Sequence, residues 1–305
     1  MPLCCDFRAV VVRAAVVVGA IALLSYSVHS DAMAQLPPAA SAPLPAVEIV
    51  RRAMQQDVRD WAQEKDYNYL EHIQERELGA DGRVTSQKSQ TDEILVLYDE
   101  PYTHLLRRND QPLSSDEAQK IQQKFDETTA KRSHETPEER TQRLAEFSKR
   151  HEEQHAFLLE VPDAYTFRLL GQETVAGRAA YVIAGEPRPD FRPKLNAARV
   201  LPKLRLKLWI AQDGKGGYEW LKVEAGVIDT ITWGGFLLRL HPGSHIELEQ
   251  TLVNNEVWLP LHAHLAFDAR VALIKPVRAE VDVQFSDYKK FRAESRIVSV
   301  KEPKP

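Results

Sequence analysis

The chain has 305 residues, 28% of them charged and 43% hydrophobic, with a formal net charge of −4. No basic excess is available to track a phosphate backbone, which excludes nucleic acid as the expected partner, and the apolar fraction excludes a disordered chain. The two cysteines, Cys4 and Cys5, precede everything that reads as a folded domain, which excludes a disulfide framework or thiolate chemistry there.

In chain order, Arg8 and Arg13 form a basic n-region and Ala14 to Leu24 an apolar run of 11 residues. Spanning a bilayer as a helix takes roughly 20 residues, so the run fits a secretory signal better than an anchor. Ala32-Met33-Ala34 has the A-x-A shape of a cleavage site, which predicts a signal peptide over 1–34 and a mature chain starting at Gln35. No cysteine follows the run, so a lipoprotein is not expected. Residues 35–45 are Pro/Ala-rich and read as a semi-rigid linker. The compartment these features imply is the periplasm.

A single domain is expected over 46–300, with a short tail at 301–305. It opens on a helix, because Val47, Val50, Met54, Val58 and Trp61 recur at spacings of three and four. Asp66 to Glu77, Arg83 to Tyr98 and Tyr102 to Arg108 then read as strands, separated by Gly79 to Gly82 and by Asp99-Glu100-Pro101. A charged helical insert is predicted over 114–160. Ser114 and Glu117 begin its first helix. Thr136-Pro137-Glu138-Glu139 begins the second, which should run to about Leu159 and stop at Val161-Pro162.

From Thr166 onward the period is two. Phe167 to Glu173 and Arg178 to Ala184 flank a turn at Gly177. Aliphatic residues alternate with polar or aromatic ones over Leu204 to Ile210, Trp220 to Val227, Val257 to Phe267 and Ala279 to Phe285. Asp213 to Gly217 and Asn254-Asn255 read as hairpin turns. The fold class is therefore α+β: one large antiparallel sheet, largely a meander, with helices covering one face.

The element order, together with Gly171 to Ile183, Leu206 to Ile210, Glu256 to Pro260 and Phe285 to Phe291, resembles the lipoprotein carriers of the Lol pathway and their relatives. The resemblance implies a strongly curved sheet, an unclosed β-barrel, whose apolar face is lidded by helices. It also implies a non-enzymatic role in the cell envelope, with a lipid, acyl chain or lipidated protein as partner. Such binding rests on apolar burial. The cavity candidates are Leu206, Leu208, Val223, Leu259, Leu261, Val281 and Val283, each on the apolar phase of its strand. Trp209, Trp220 and Trp258 lie on the opposite phase and could form an aromatic platform for a ligand or partner, or stiffen the sheet by cross-strand packing.

One string points elsewhere. His151-Glu152-Glu153-Gln154-His155 matches H-E-x-x-H, in which two imidazoles on one helical face hold zinc and the Glu activates water. Its charged surroundings and the absence of a downstream partner helix favour a packing stripe of Leu144, Phe147, His151, His155 and Leu158 instead. His262 and His264 share a strand face, with no acid or thiol close in sequence to complete a ligand set. Gly234 to Leu240 reads either as a buried strand or as the mouth of a lipid cavity. The expectation is a carrier without cofactor or metal. The alternatives are an envelope sensor of the same fold that binds another protein, and a zinc hydrolase built on the insert.

Overall fold

A computed structural model describes residues 44–213, 216–233, 238–271 and 275–291, with the backbone alone described at 59–64, 154, 155, 233, 238, 271 and 275. The predicted signal peptide, most of the linker and the tail lie outside these residues. The linker's last two residues do enter the fold: Leu44 packs against the core, and the Pro45 carbonyl accepts from the amides of Glu48 and Ile49. That contact starts helix α1, Ala46–Glu64.

Strands β1 (Tyr67–Leu78), β2 (Val84–Leu97), β3 (Glu100–Arg108) and the two-residue β4 (Gln111–Pro112) follow as a meander. The insert is a hairpin of two helices, α2 (Ser115–Ser133) and α3 (Pro137–His155). A 3-10 turn, Ala156–Glu160, and the short α4, Val161–Ala164, lead to β5 (Tyr165–Val175), β6 (Arg178–Pro187), β7 (Leu204–Gln212) and β8 (Tyr218–Val227). The chain closes with β9 (Ile231–Trp233), β10 (Leu238–Leu240), β11 (His245–Val253), β12 (Val257–Val271) and β13 (Lys275–Lys290).

All the strands join one antiparallel sheet, in the order β4-β3-β2-β1-β13-β12-β11-β8-β7-β6-β5, with β9 and β10 attached beyond the end of β11. β4 and β5 are its free edges, so the barrel is unclosed. The seam is the pairing of β1 with β13, which joins the two ends of the domain. Tight hairpins fix the register as expected. Asn254 and Asn255 both take positive φ, 53° and 56°, as in a primed turn, and the loop runs three residues because Val253 pairs with Val257.

One row of partners crosses nine strands on a single face: Leu169, Ile183, Leu208, Val223, Leu248, Ala263, Val283, Ile73 and Gln90. We call this the inner face, because α1 lies across it and buries Ile49, Val50, Ala53 and Met54 there. The predicted helix is present but rotated about its axis. Val47 is 36% exposed, and Ile49, Ala53 and Asp57 are among its buried residues.

The insert begins as its sequence requires. Thr136 Oγ1 accepts from the Glu139 amide at 3.2 Å while Glu139 Oε2 accepts from the Thr136 amide at 2.9 Å, a complete capping box. At Ser114 only half the box forms, because the Glu117 carboxylate turns to Arg108 at 2.5 Å. α3 ends at His155 in the 3-10 turn, earlier than predicted, and Pro162 falls in the first turn of α4, where its missing N–H costs nothing.

α2 buries no residue. What holds the hairpin is the β2–β3 turn. Glu100 receives Arg132 and Arg143 at 3.0 Å and Arg150 at 3.5 Å, and Arg143 also makes two 2.8 Å contacts with Glu135. Arg132 donates to the Leu97 carbonyl at 2.7 Å, and Arg140 pairs with Asp99. Phe125 completes the attachment by stacking on His104, with ring centroids 5.6 Å apart.

Candidate ligand-binding face

Of the seven cavity candidates, five meet on the inner face. Leu206, Leu208, Val281 and Val283 are buried under α1 and its neighbours, and half-buried Val223 packs beside them. The other two do not join. Glu249 pairs with His262 and Gln250 with Pro260, which leaves Leu261 as the extra residue of a β-bulge, 41% exposed. Leu259, beyond that bulge, packs with Tyr67 and Val257 in a separate cluster.

A second bulge divides the tryptophans. Trp209 pairs with Lys222 and Ile210 with Trp220, so Leu221 is extra and Trp220 changes face. Trp220 joins the inner core, whereas Trp209 and Trp258 pack with Val182, Ala211 and Leu221 in a second cluster. All three are at most 6% exposed. The expected common platform is thus corrected to three buried anchors on different clusters. Trp209 Nε1 donates to Glu173 at 2.7 Å, and Lys207 lies 4.3 Å over its ring.

Under α1, Trp220 Nε1 donates to Asp57 Oδ1 at 2.6 Å. Asp57 is only 4% exposed, and burial pushes its carboxyl up to about 8 although the indole bond pulls the other way. Beside Trp220, a void of about 10 Å³ is lined by Leu248, Pro260, Ala263 and Phe285. That is scarcely room for one water. The middle of the inner face is therefore filled by the protein's own side chains.

Beyond Phe285 the face becomes polar. Phe285 pairs with Glu71, which pairs with Asp92 on β2. Burial raises both carboxyls, Glu71 to about 7 with help from the Asp92 charge. Gln90 donates to Asp92 Oδ2 at 2.6 Å. The aromatic rings of Tyr69 and Phe285 lie alongside, with centroids 6.1 Å apart.

The remaining candidates fall elsewhere. His151 is half-buried and Glu152 exposed near the end of α3, next to half-buried Phe147, while the side chain of His155 lies outside the described residues. Among the described residues no three His, Cys, Asp or Glu side chains gather in metal-binding geometry. His264 Nδ1 lies 2.8 Å from Asp282 and His262 Nε2 lies 3.5 Å from it. Of Gly234 to Leu240, residues 234–237 lie outside the description and Leu238–Leu240 form β10. No described helix is long and apolar enough to cross a membrane.

Sequence reasoning missed Asp57 and Glu71. Asp57 was detectable as the one acid on the stripe Ile49, Val50, Ala53, Met54, where a charged residue without an apolar substitute asks for a partner. Glu71 offered no such signal, since alternate residues of β1 are mostly polar.

Several solved structures resemble the chain in outline. A LolA superfamily protein from Nitrosomonas europaea matches with a TM-score of 0.28 at 11% identity, over 82% of this chain and 94% of that one. A putative outer membrane lipoprotein-sorting protein domain from Vibrio parahaemolyticus matches with a TM-score of 0.29 at 11% identity, over 83% and 94%. A DUF1329 family protein from Desulfovibrio piger matches with a TM-score of 0.28 at 10% identity, over 82% and 93%. No family model and no curated protein matches the chain. Likenesses of this size concern outline only; the architecture rests on the strand order, and the site on its own residues.

Proposed function

We propose that the protein is a non-enzymatic periplasmic carrier or binding protein that shelters an acyl chain, a lipid or a lipidated polypeptide on the inner face. One observation carries this reading: an amphipathic helix, not a second sheet, lies across an apolar row that runs over eight strands, from Leu169 to Ile73. The energies of exchange are close. Undocking Ile49, Val50 and Met54, with the smaller Ala53, costs roughly 5–9 kcal/mol at about 1.5–3 kcal/mol per large side chain, and an acyl chain of about a dozen methylenes regains about 10 kcal/mol. Cargo can therefore replace α1 without a large surplus on either side, as a carrier that must also release requires.

The small void beside Trp220 favours a second reading, a filled scaffold that senses or binds another envelope protein. Titration of the mature protein with a fluorescent fatty acid, with mass spectrometry of whatever co-purifies from the envelope, decides between them. Saturable probe binding and a co-purifying lipid are expected for the carrier. A protein that never binds the probe and carries no lipid is the scaffold. Stoichiometric zinc in the purified protein, lost on His151→Ala, would instead establish the hydrolase.

A further inference from the structure

We propose that Asp57, buried against the Trp220 indole, is a proton-operated latch: α1 stays docked on the inner face while Asp57 holds its proton and undocks as that proton is lost. The inference rests on the inner face being the binding face, and it adds what controls access to it.

The geometry makes docking and proton binding one event. Asp57 lies on the buried side of α1, 4% exposed, and its carboxyl faces the indole of Trp220, itself 2% exposed, at 2.6 Å. An indole offers a single donor, so an ionised carboxylate there would keep one hydrogen bond in place of the several it has in water. With α1 lifted, the same carboxyl is hydrated and titrates in the ordinary carboxylate range.

The surrounding charges do not supply the missing partner. On α1, Arg51 and Arg52 are engaged with Glu48, and Arg51 also with Asp163 of α4. Glu160, in the turn against α1, accepts from the amides of Lys194 and Leu195. The Tyr165 hydroxyl of β5 donates to the Leu201 carbonyl. On the strands around Trp220 the ionisable groups include Tyr218, buried Glu219 and Lys222 of β8, the last paired with Glu224, Glu247 and Glu249, together with His262 of β12 and Glu71 of β1. Among the described residues none of them exerts a charge effect on Asp57; burial raises its carboxyl and the indole bond alone lowers it.

The sign follows from linkage. The docked state binds the proton up to about pH 8, and the undocked state releases it near 3.8. The stabilisation of docking is complete below the lower value and is lost as pH rises to the upper one. The opening constant of α1 should climb about tenfold per pH unit across that window and level off above it.

Amide hydrogen exchange of residues 46–58 in the mature protein, measured from pH 5 to 9 and corrected for the intrinsic exchange rate, tests this. The wild type should follow that rise, and Asp57→Asn, which keeps the acceptor and loses the proton, should be flat. A flat wild type, or an Asn variant as steep as the wild type, overturns the latch. Trp220→Phe serves as a second variant if Asp57→Asn fails to fold: it retains the carboxyl and loses the bond that lowers its pKa, so its plateau should move to higher pH. A plateau that stays put overturns the role of the indole. Fatty-acid probe binding, measured in the same samples, is a separate readout. Steep exchange without probe binding supports the latch and defeats the carrier reading.

Discussion

Leu208→Gln tests whether the inner face is sealed. Leu208 is 2% exposed, in the middle of the row beneath α1. Replacing it removes the burial of a leucine side chain, about 1.5–3 kcal/mol. It also places an amide without partners in the core, roughly 1–3 kcal/mol more. We therefore expect a loss of about 3–5 kcal/mol. At about 2–4 °C per kcal/mol for a domain of this size, the thermal midpoint should fall by about 10 °C. Leu261→Gln is the internal control, because Leu261 is 41% exposed at its bulge and should change stability by less than about 0.5 kcal/mol. Urea unfolding followed by far-UV circular dichroism gives both numbers, provided the slope with denaturant is unchanged. If Leu208→Gln is as mild as Leu261→Gln and lowers probe affinity instead, the amide stays hydrated. The face would then be an open, wet trough, and our account of α1 as its seal would be wrong.

Three further outcomes are expected. Glu71 stays protonated to about pH 7 in the fold, so its contribution to stability is present below its ordinary value of 4.5 and lost as pH rises to about 7. Glu71→Gln should accordingly be more stable than wild type by about 3 kcal/mol at pH 8 and indistinguishable near pH 4, as read by unfolding at the two pH values. Glu100→Gln leaves Arg132 and Arg143, 12% and 18% exposed, without their shared carboxylate; we expect a cost of about 1–3 kcal/mol, seen as lost exchange protection confined to α2 and α3. N-terminal sequencing of envelope-extracted protein should begin at Gln35; a mature chain that keeps Ala14 to Leu24 would count against both cleavage and a soluble carrier.

How far the sequence could be read depended on whether a feature was local. The capping box at Thr136 is fixed by residues three apart, and the hairpin at Asn254-Asn255 by two neighbours, so both were legible. Most of the longer strands were equally so, because alternation is a property of each strand alone; β11, His245–Val253, was not among those predicted. The bulges at Leu221 and Leu261 were not. Each inserts one residue whose own side chain looks in phase, and the flip is visible only against the partner strand. That is why Trp220 was assigned to the wrong face and Leu261 to the cavity. The partner of Asp57 escaped for a related reason: Trp220 is 163 residues away, and no spacing rule joins them.

The pairing of β1 with β13 has a consequence for how the protein is made. Leu70 meets Ser286 and Leu78 meets Arg278, contacts between residues some 200 positions apart in the middle of the sheet. Loop closure on that scale is slow. It also cannot begin until nearly the whole polypeptide is present, so while the chain is emerging β1 waits with one side bare. A nascent chain cut short before residue 275 would expose long unpaired edges on both β1 and β12, the kind of surface that recruits other strands. Such truncations should aggregate rather than fold into a smaller sheet, and a chaperone that covers β1 during synthesis would raise the yield of the complete protein.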